Sequence, residues 1–361
     1  MSFLSLFLVV IGLFSFPGFQ TKLVQSFTYD LKKRTGQEVV IEKVSFKWNG
    51  RIKFSNFLIL DHHNDTLLFV KDLSTSIEDF RKLKNNDYNF DRIETSTVIL
   101  NIKKYPQEFS NSLNVFLNKL KKPSNEKRAT FFKSSGITFS KSRFQYIDLN
   151  KAKGNTVKIK DIELYAENFK YQLDSFDVDL KMLKGVIEST ESKPFEFTGK
   201  VNYSPGTLIL PFFDIVNDKT HVKGSMSIKG KNNSFKNFND NVKIALSIDN
   251  STLDANALFP NKIKNLYKKP YKISLTASGS LNNLSFKKVL LQNEILFFSG
   301  DLNFKHFFEE QETNWFAIID DLRLSSKAFE DLETLSNSKK QILKNLGLLQ
   351  MSGKLSSQGD S

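Results

Sequence analysis

Beyond Gly36 the chain alternates apolar and polar residues with a period of two, the signature of half-buried β-strands. Val44, Phe46 and Trp48 begin the pattern, and Ile52 and Phe54 resume it after the Asn49-Gly50 turn. It returns in Val98/Leu100/Ile102, Val157/Ile159, Phe176/Val178/Leu180, Phe195/Phe197, Leu208/Leu210/Phe212 and Val222/Met226/Ile228. The longest regular stretches are Val242/Ile244/Leu246/Ile248 and Tyr271/Ile273/Leu275/Ala277. About fourteen such segments are separated by turn residues, among them Ser204-Pro205-Gly206 and Asn282-Asn283, a spacing that suits antiparallel sheets. Helical periodicity is rare. Residues 107–122 read as a helix with Leu113, Phe116, Leu117 and Leu120 on one face, and two shorter helices are predicted near 252–268 and 326–345.

Fourteen strands with one apolar face present on the order of forty apolar side chains, more than a few short helices can cover. Such a sheet must close as a barrel, pack as a sandwich, or curl into a trough with an apolar occupant. Periodicity does not separate these three.

The first 21 residues differ. Phe3, Leu4, Leu6, Phe7, Leu8, Val9, Val10, Ile11, Leu13, Phe14 and Phe16 fall in an uncharged run. Together they favour membrane insertion by about 3–6 kcal/mol, so residues 1–21 are read as a signal anchor. A cleaved signal peptide competes, without a clear small-x-small site before Pro17. No basic residue precedes the run, whereas Lys22, Lys32, Lys33 and Arg34 follow it, opposite to the usual flank of a periplasm-facing anchor. Residues 22–36 predict an amphipathic helix with Leu23, Phe27 and Leu31 on one face and Gly36 as its C-cap. Residues 37–118 form a first β region with its closing helix, 119–130 a flexible polar loop, and 131–361 an elongated β region. A shift of 74 residues superposes Ile248 on Leu322, Leu275 on Leu349 and Ser278-Gly279 on Ser352-Gly353, a strand–helix–strand repeat. With the last repeat running to Ser361, the reading expects a part of a longer chain.

Composition narrows the chemistry. The 361 residues include 35 Phe and no Cys, which removes disulfides and thiol catalysis. The net charge of +13 comes from lysines scattered through strands, as in Val242-Lys243-Ile244, not from one stripe. With no nucleic-acid-binding motif beside them, a nucleic-acid partner is not expected. His62 and His63, beside Asp61 and Asp65, have metal-ligand residue types, but neighbours on a strand point to opposite faces, so a turn is the preferred reading. No metal site, cofactor motif or catalytic constellation is expected, and the chain does not read as an enzyme.

The ordered features resemble the TamB/AsmA-like family of envelope proteins. One is anchor, Pro17, Gln20, amphipathic helix and Gly36, followed by strands and a turn of Asp61, Asp65, Thr66, Leu67 and Leu68. Another is the helix at 107–122, a Lys-rich break, and strands around Ile137 and Phe144-Gln145-Tyr146. A third is the repeated Ser-led helix at Leu253–Pro260 and Lys327–Leu335. The resemblance implies a single-pass inner-membrane protein with its bulk in the periplasm of a Gram-negative bacterium. It implies a mainly β fold: a transmembrane helix, then a long, curled, mostly antiparallel sheet whose groove carries phospholipid. Its implied partners are membrane lipids and a BamA-like outer-membrane protein, with roles in outer-membrane biogenesis and protein secretion. Family members are longer, and their C-terminal domain has no counterpart here. The groove-facing candidates are Val242, Ile244, Leu246, Ile248, Ile273 and Leu275. The alternatives are a self-packed sandwich, a scaffold or chaperone-like module for outer-membrane proteins, and a cleaved outer-membrane barrel.

Overall fold

The computed structural model describes residues 28–29, 32–33, 35–46, 51–78, 87–120, 131–150, 155–172, 174–188, 193–254, 270–306, 314–326, 345 and 347–357. The expected anchor, most of the amphipathic helix, the 119–130 loop beyond Leu120 and most of the two short helices lie outside them. Among the described residues no helix is long and apolar enough to cross a membrane. Gly36 does take the left-handed conformation of a C-cap, with φ of 64°, and donates its N–H to Lys32 O at 2.8 Å. The chain is mainly β and divides into two compact units, Met1–Thr198 and Gly199–Ser361.

In the first unit, β1 (Val39–Phe46), β2 (Arg51–Leu60) and β3 (Thr66–Ser76) pair antiparallel in sequence order. Three short strands follow: β4 (Asp87–Phe90), β5 (Ile93–Thr95) and β6 (Val98–Lys104). They lie end to end along the 18-residue β7 (Phe131–Asp148), and all three are parallel to it. Asp87 faces Phe131, Ile93 faces Ile137 and Ile99 faces Arg143, so the three pieces act as one interrupted strand in constant register. At the interruptions β7 serines replace the missing ladder bonds. Ser134 Oγ donates to Asp91 O at 2.7 Å, and Ser142 Oγ accepts the Val98 N–H at 2.9 Å.

A parallel step needs a crossover rather than a hairpin. It contains α1 (Ser112–Leu120), which buries Leu113, Phe116 and Leu117 and exposes Asn114, Asn118 and Lys119. The helix starts later than the periodicity predicts. Pro106 and Gln107, with φ of 65°, lie in a turn, and Asn111 Oδ1 caps the Asn114 N–H at 2.9 Å. β8 (Asn155–Gln172) and β9 (Ser175–Ile187) continue the sheet antiparallel. β10 (Lys193–Ser204) carries the chain past the boundary between units.

The second unit is a run of antiparallel neighbours. They are β11 (Thr207–Asn217), β12 (Thr220–Gly230), β13 (Val242–Leu253), β14 (Tyr271–Ser280), β15 (Asn283–Gln292), β16 (Leu296–Lys305), β17 (Asn314–Ser325) and β18 (Leu348–Ser357). A one-turn helix, α2 (Phe238–Asn241), precedes β13. The predicted helix near 252–268 is displaced at its start, since Thr252 and Leu253 extend β13. The 74-residue repeat relates the pair β13–β14 to β17–β18. Gly279 and Gly353 both have φ beyond 130°, and a Cβ at Gly279 would stand 2.0 Å from Asn283 O.

Bulges break the strict alternation in both units. Lys141, Asp161, Asn168, Asn250 and Lys288 have left-handed φ inside strands, and the register shifts at each. Two of the shifts share one device. Ser142 and Ser251 each follow a left-handed residue, donate Oγ–H to the carbonyl two residues back, and accept an N–H from the next strand. Each bulge bends its strand and sharpens its twist.

Among the described residues the nine largest fully buried side chains, including Ile59, Phe90 and Phe116, all belong to the first unit. Replacing Phe90 with Ala should lower stability by about 3–5 kcal/mol through the cavity left behind. Val40→Ala, on the exposed side of β1, should change it by less than about 0.5 kcal/mol. Urea denaturation of the two variants measures the difference.

Candidate functional site

In the second unit the side chains of one face line up across neighbouring strands. Leu208, Ile228, Ile244, Gly279, Leu284, Phe304 and Trp315 are successive cross-strand partners from β11 to β17. A second row runs Leu210, Met226, Leu246, Ala277, Phe286, Leu302, Ala317 and Leu355. The opposite face of β13 carries Lys243, Ala245 and Asp249, all exposed. Register therefore converts a simple alternation in each strand into an apolar surface seven or eight strands wide.

The expected groove residues lie on this surface with unequal exposure. Ile248 and Leu275 are direct partners, while Ile244 faces Gly279 and Leu246 faces Ala277. Ile273 pairs with Ser251 beyond the bulge and with Leu291 on the other side. All five remain partly exposed. Val242 differs. It faces Gly230 at the start of the strand and is completely buried, so it belongs to the packed end of the face. Sequence reasoning missed the aromatic share of the surface, since Phe286, Phe304 and Trp315 were not assigned a face. Their alternation with Ser285, Asn303 and Phe316 on each strand carried a weak signal.

The first unit contains an apolar cavity of about 200 Å³ between β6 and β10, lined by Val98, Leu100, Phe139, Phe144, Ile159, Ile162, Leu183 and Phe195. Cavities of roughly 150 Å³ with such walls stay dry and take a benzene-sized group. Its volume suits a short apolar segment.

A separate polar cluster sits where β2 turns into β3. Asp61 is buried, and its Oδ1 accepts the N–H groups of His63 at 2.9 Å and Asp65 at 3.0 Å, which folds the predicted turn. Tyr105, from the end of β6, points its hydroxyl between Asp61 Oδ2 at 2.8 Å and Asp65 Oδ2 at 2.7 Å. Lys103 Nζ lies 2.7 Å from the same Asp65 oxygen. Burial and the two carboxylates push the Tyr105 hydroxyl far above the ordinary tyrosine range. The Lys103 ammonium, then the Tyr105 hydroxyl, hold the Asp65 carboxyl below its usual range. Beside this turn both histidine rings reach Glu108. His62 Nε2 is 2.9 Å from Oε2, and His63 Nε2 is 2.9 Å from Oε1. Hydrogen bonds from His63 and then His62 lower the Glu108 pKa.

Comparison of the sequence with protein-family models and with curated proteins found no match.

The turn cluster has a defined pH signature. With its native pKa depressed, Asp65 contributes stability at neutral pH that is lost as pH falls through the folded value, below an unfolded pKa of about 3.9. Lys103→Met should therefore flatten the acid limb of a stability–pH curve between about pH 5 and 2. Tyr105 acts in the opposite direction. Its raised pKa contributes stability below about pH 10 that is lost as pH rises. Tyr105→Phe should cost about 1–3 kcal/mol at pH 7, because Asp61 Oδ2 loses its donor, and should remove that alkaline loss. Urea midpoints across pH measure both.

Proposed function

We propose that this protein is an envelope lipid carrier of the TamB/AsmA-like kind, in which the apolar face of the second unit shelters acyl chains. The observation that carries the reading is the set of half-exposed apolar side chains on one face, Ile244, Leu246 and Ile248 on β13 and Leu275 on β14, joined by Met226, Phe286 and Leu302 in the same cross-strand row. A soluble protein rarely leaves a contiguous apolar surface of that width facing water without a partner for it. An acyl tail supplies one. Burying sixteen methylenes offers about 12 kcal/mol at roughly 0.8 kcal/mol each, before entropy costs.

The chemistry required is slight. Contact with a row of aliphatic and aromatic side chains changes little as a tail slides along it, so movement needs no catalytic group. In this reading the bulged sheet curls into a trough, and Phe3–Phe14 anchor the chain in the inner membrane with its bulk in the periplasm. A BamA-like outer-membrane protein is the proposed partner, and the protein is not an enzyme. A scaffold role for outer-membrane proteins is the second reading. It is favoured by β18, which exposes Leu348, Leu349 and Leu355 as a strand-pairing segment would.

Lipid extracted from the full-length protein, purified in mild detergent from a Gram-negative host, tests the proposal by mass spectrometry. Phospholipid should co-purify in stoichiometric amounts. Leu246→Asp should reduce it at least severalfold with unchanged far-ultraviolet circular dichroism, while Lys243→Glu on the opposite face should not. Lipid-free wild-type protein, or equal lipid in the Leu246→Asp variant, contradicts the proposal.

A further inference from the structure

We propose that His62, His63 and Glu108 form a binding site for one divalent transition-metal ion of the zinc class. The site is independent of the lipid reading, and it uses the histidine pair that strand geometry had set aside.

The turn changes that geometry. On a strand the adjacent rings would point apart. Here Asp61 gathers the backbone of His63 and Asp65, and Asn64 takes a φ of 63°, so both imidazoles swing to the same side. Their Nε2 atoms and the Glu108 carboxylate lie within 4.8 Å of one another. Ligand atoms around a tetrahedral zinc with bonds of about 2.0–2.1 Å stand roughly 3.3 Å apart. The separations of 2.9 to 3.0 Å from Nε2 to carboxylate oxygen would widen by a few tenths of an ångström, and the two imidazole nitrogens, within 4.8 Å of each other, would draw to the same spacing by rotation of the rings.

The surroundings hold the donors in place. The His63 ring lies against Tyr105, with centroids 3.8 Å apart and planes tilted by 30°, and His62 meets the same ring edge-on at 5.5 Å. Tyr105 is itself fixed by Asp61 and Asp65. Lys103 is engaged by Asp65, so the two histidines are the only ion-pair partners of Glu108 among the described residues. Two imidazoles and one carboxylate are the donor set of a three-ligand zinc site with an open fourth position for water. Without the ion each ring donates Nε2–H to the carboxylate. With it, those nitrogens offer lone pairs and their protons move to Nδ1. His62 Nδ1 is buried with no hydrogen-bond partner among the described residues, so placing the proton there costs part of the binding energy. A bound ion would clip the β2–β3 turn to the segment after β6.

Chelator-treated full-length protein is titrated with Zn²⁺ by calorimetry and with Co²⁺ by visible absorption. One equivalent should bind with micromolar affinity, and Co²⁺ should give the absorption of a low-coordinate nitrogen–oxygen site. His63→Ala should raise Kd at least about tenfold. Glu108→Gln keeps the side chain's size and one of its two hydrogen-bond acceptors, and it should weaken binding as much, with unchanged far-ultraviolet circular dichroism as the check that it folds. Zn²⁺ should raise the thermal midpoint of the parent and not of Glu108→Gln. No saturable binding, or a Kd unchanged within twofold in both variants, overturns the proposal, the second outcome placing the ion elsewhere, as on His221 and Asp214.

Discussion

A β-sheet with one apolar face is stable in water only if something covers that face, and this requirement organises the rest of the protein. The two units meet it differently. In the first, side chains such as Ile59, Leu68, Phe90, Phe116 and Ile137 are removed from solvent almost completely. The crossover helix contributes Leu113, Phe116 and Leu117 to that cover. In the second, Met226, Leu246, Phe286 and Leu302 keep partial exposure, while Leu210, Ala277, Leu284 and Ala317 in the same rows are buried. A mobile apolar ligand is the occupant that the proposed function supplies.

The bulges give the same sheet a means of bending. A left-handed residue at Lys141, Asn250 or Lys288 adds a residue to one strand without breaking the ladder on both sides. Buried Ser142 and Ser251 satisfy the backbone groups that the irregularity would otherwise strand. Strand bending is therefore built from local chemistry, residue by residue, and leaves the apolar rows continuous on each side.

Much of this was legible in the sequence. The alternation in Val242–Ile248 and Tyr271–Ala277 predicts β13 and β14, and the Pro205-Gly206 turn predicts the link between β10 and β11, where Gly206 has φ of 69°. Other features depend on partners far along the chain. Parallel pairing of β4, β5 and β6 with β7 leaves no local signature, because alternation is the same in parallel and antiparallel neighbours. Periodicity carried the predicted helix back to residue 107, but Pro106 and Gln107 occupy a turn and Asn111 sets the start. The convergence of His62 and His63 depends on Glu108, 45 or 46 residues away, and on Tyr105 stacking beside them. Asp161, Asn168 and Asn250 are residue types that tolerate left-handed backbone, whereas Lys141 and Lys288 are not, so two of the five bulges were beyond local inference.

The central claim is that the half-exposed rows of the second unit contact acyl chains. A photo-crosslinking amino acid placed at Leu246 in cells, with Lys243 as the opposite-face control, tests it most directly. The account predicts lipid adducts by mass spectrometry at position 246 and none at 243. Adducts at 246 only to other parts of the same chain would contradict it, since the face would then be a self-packed core.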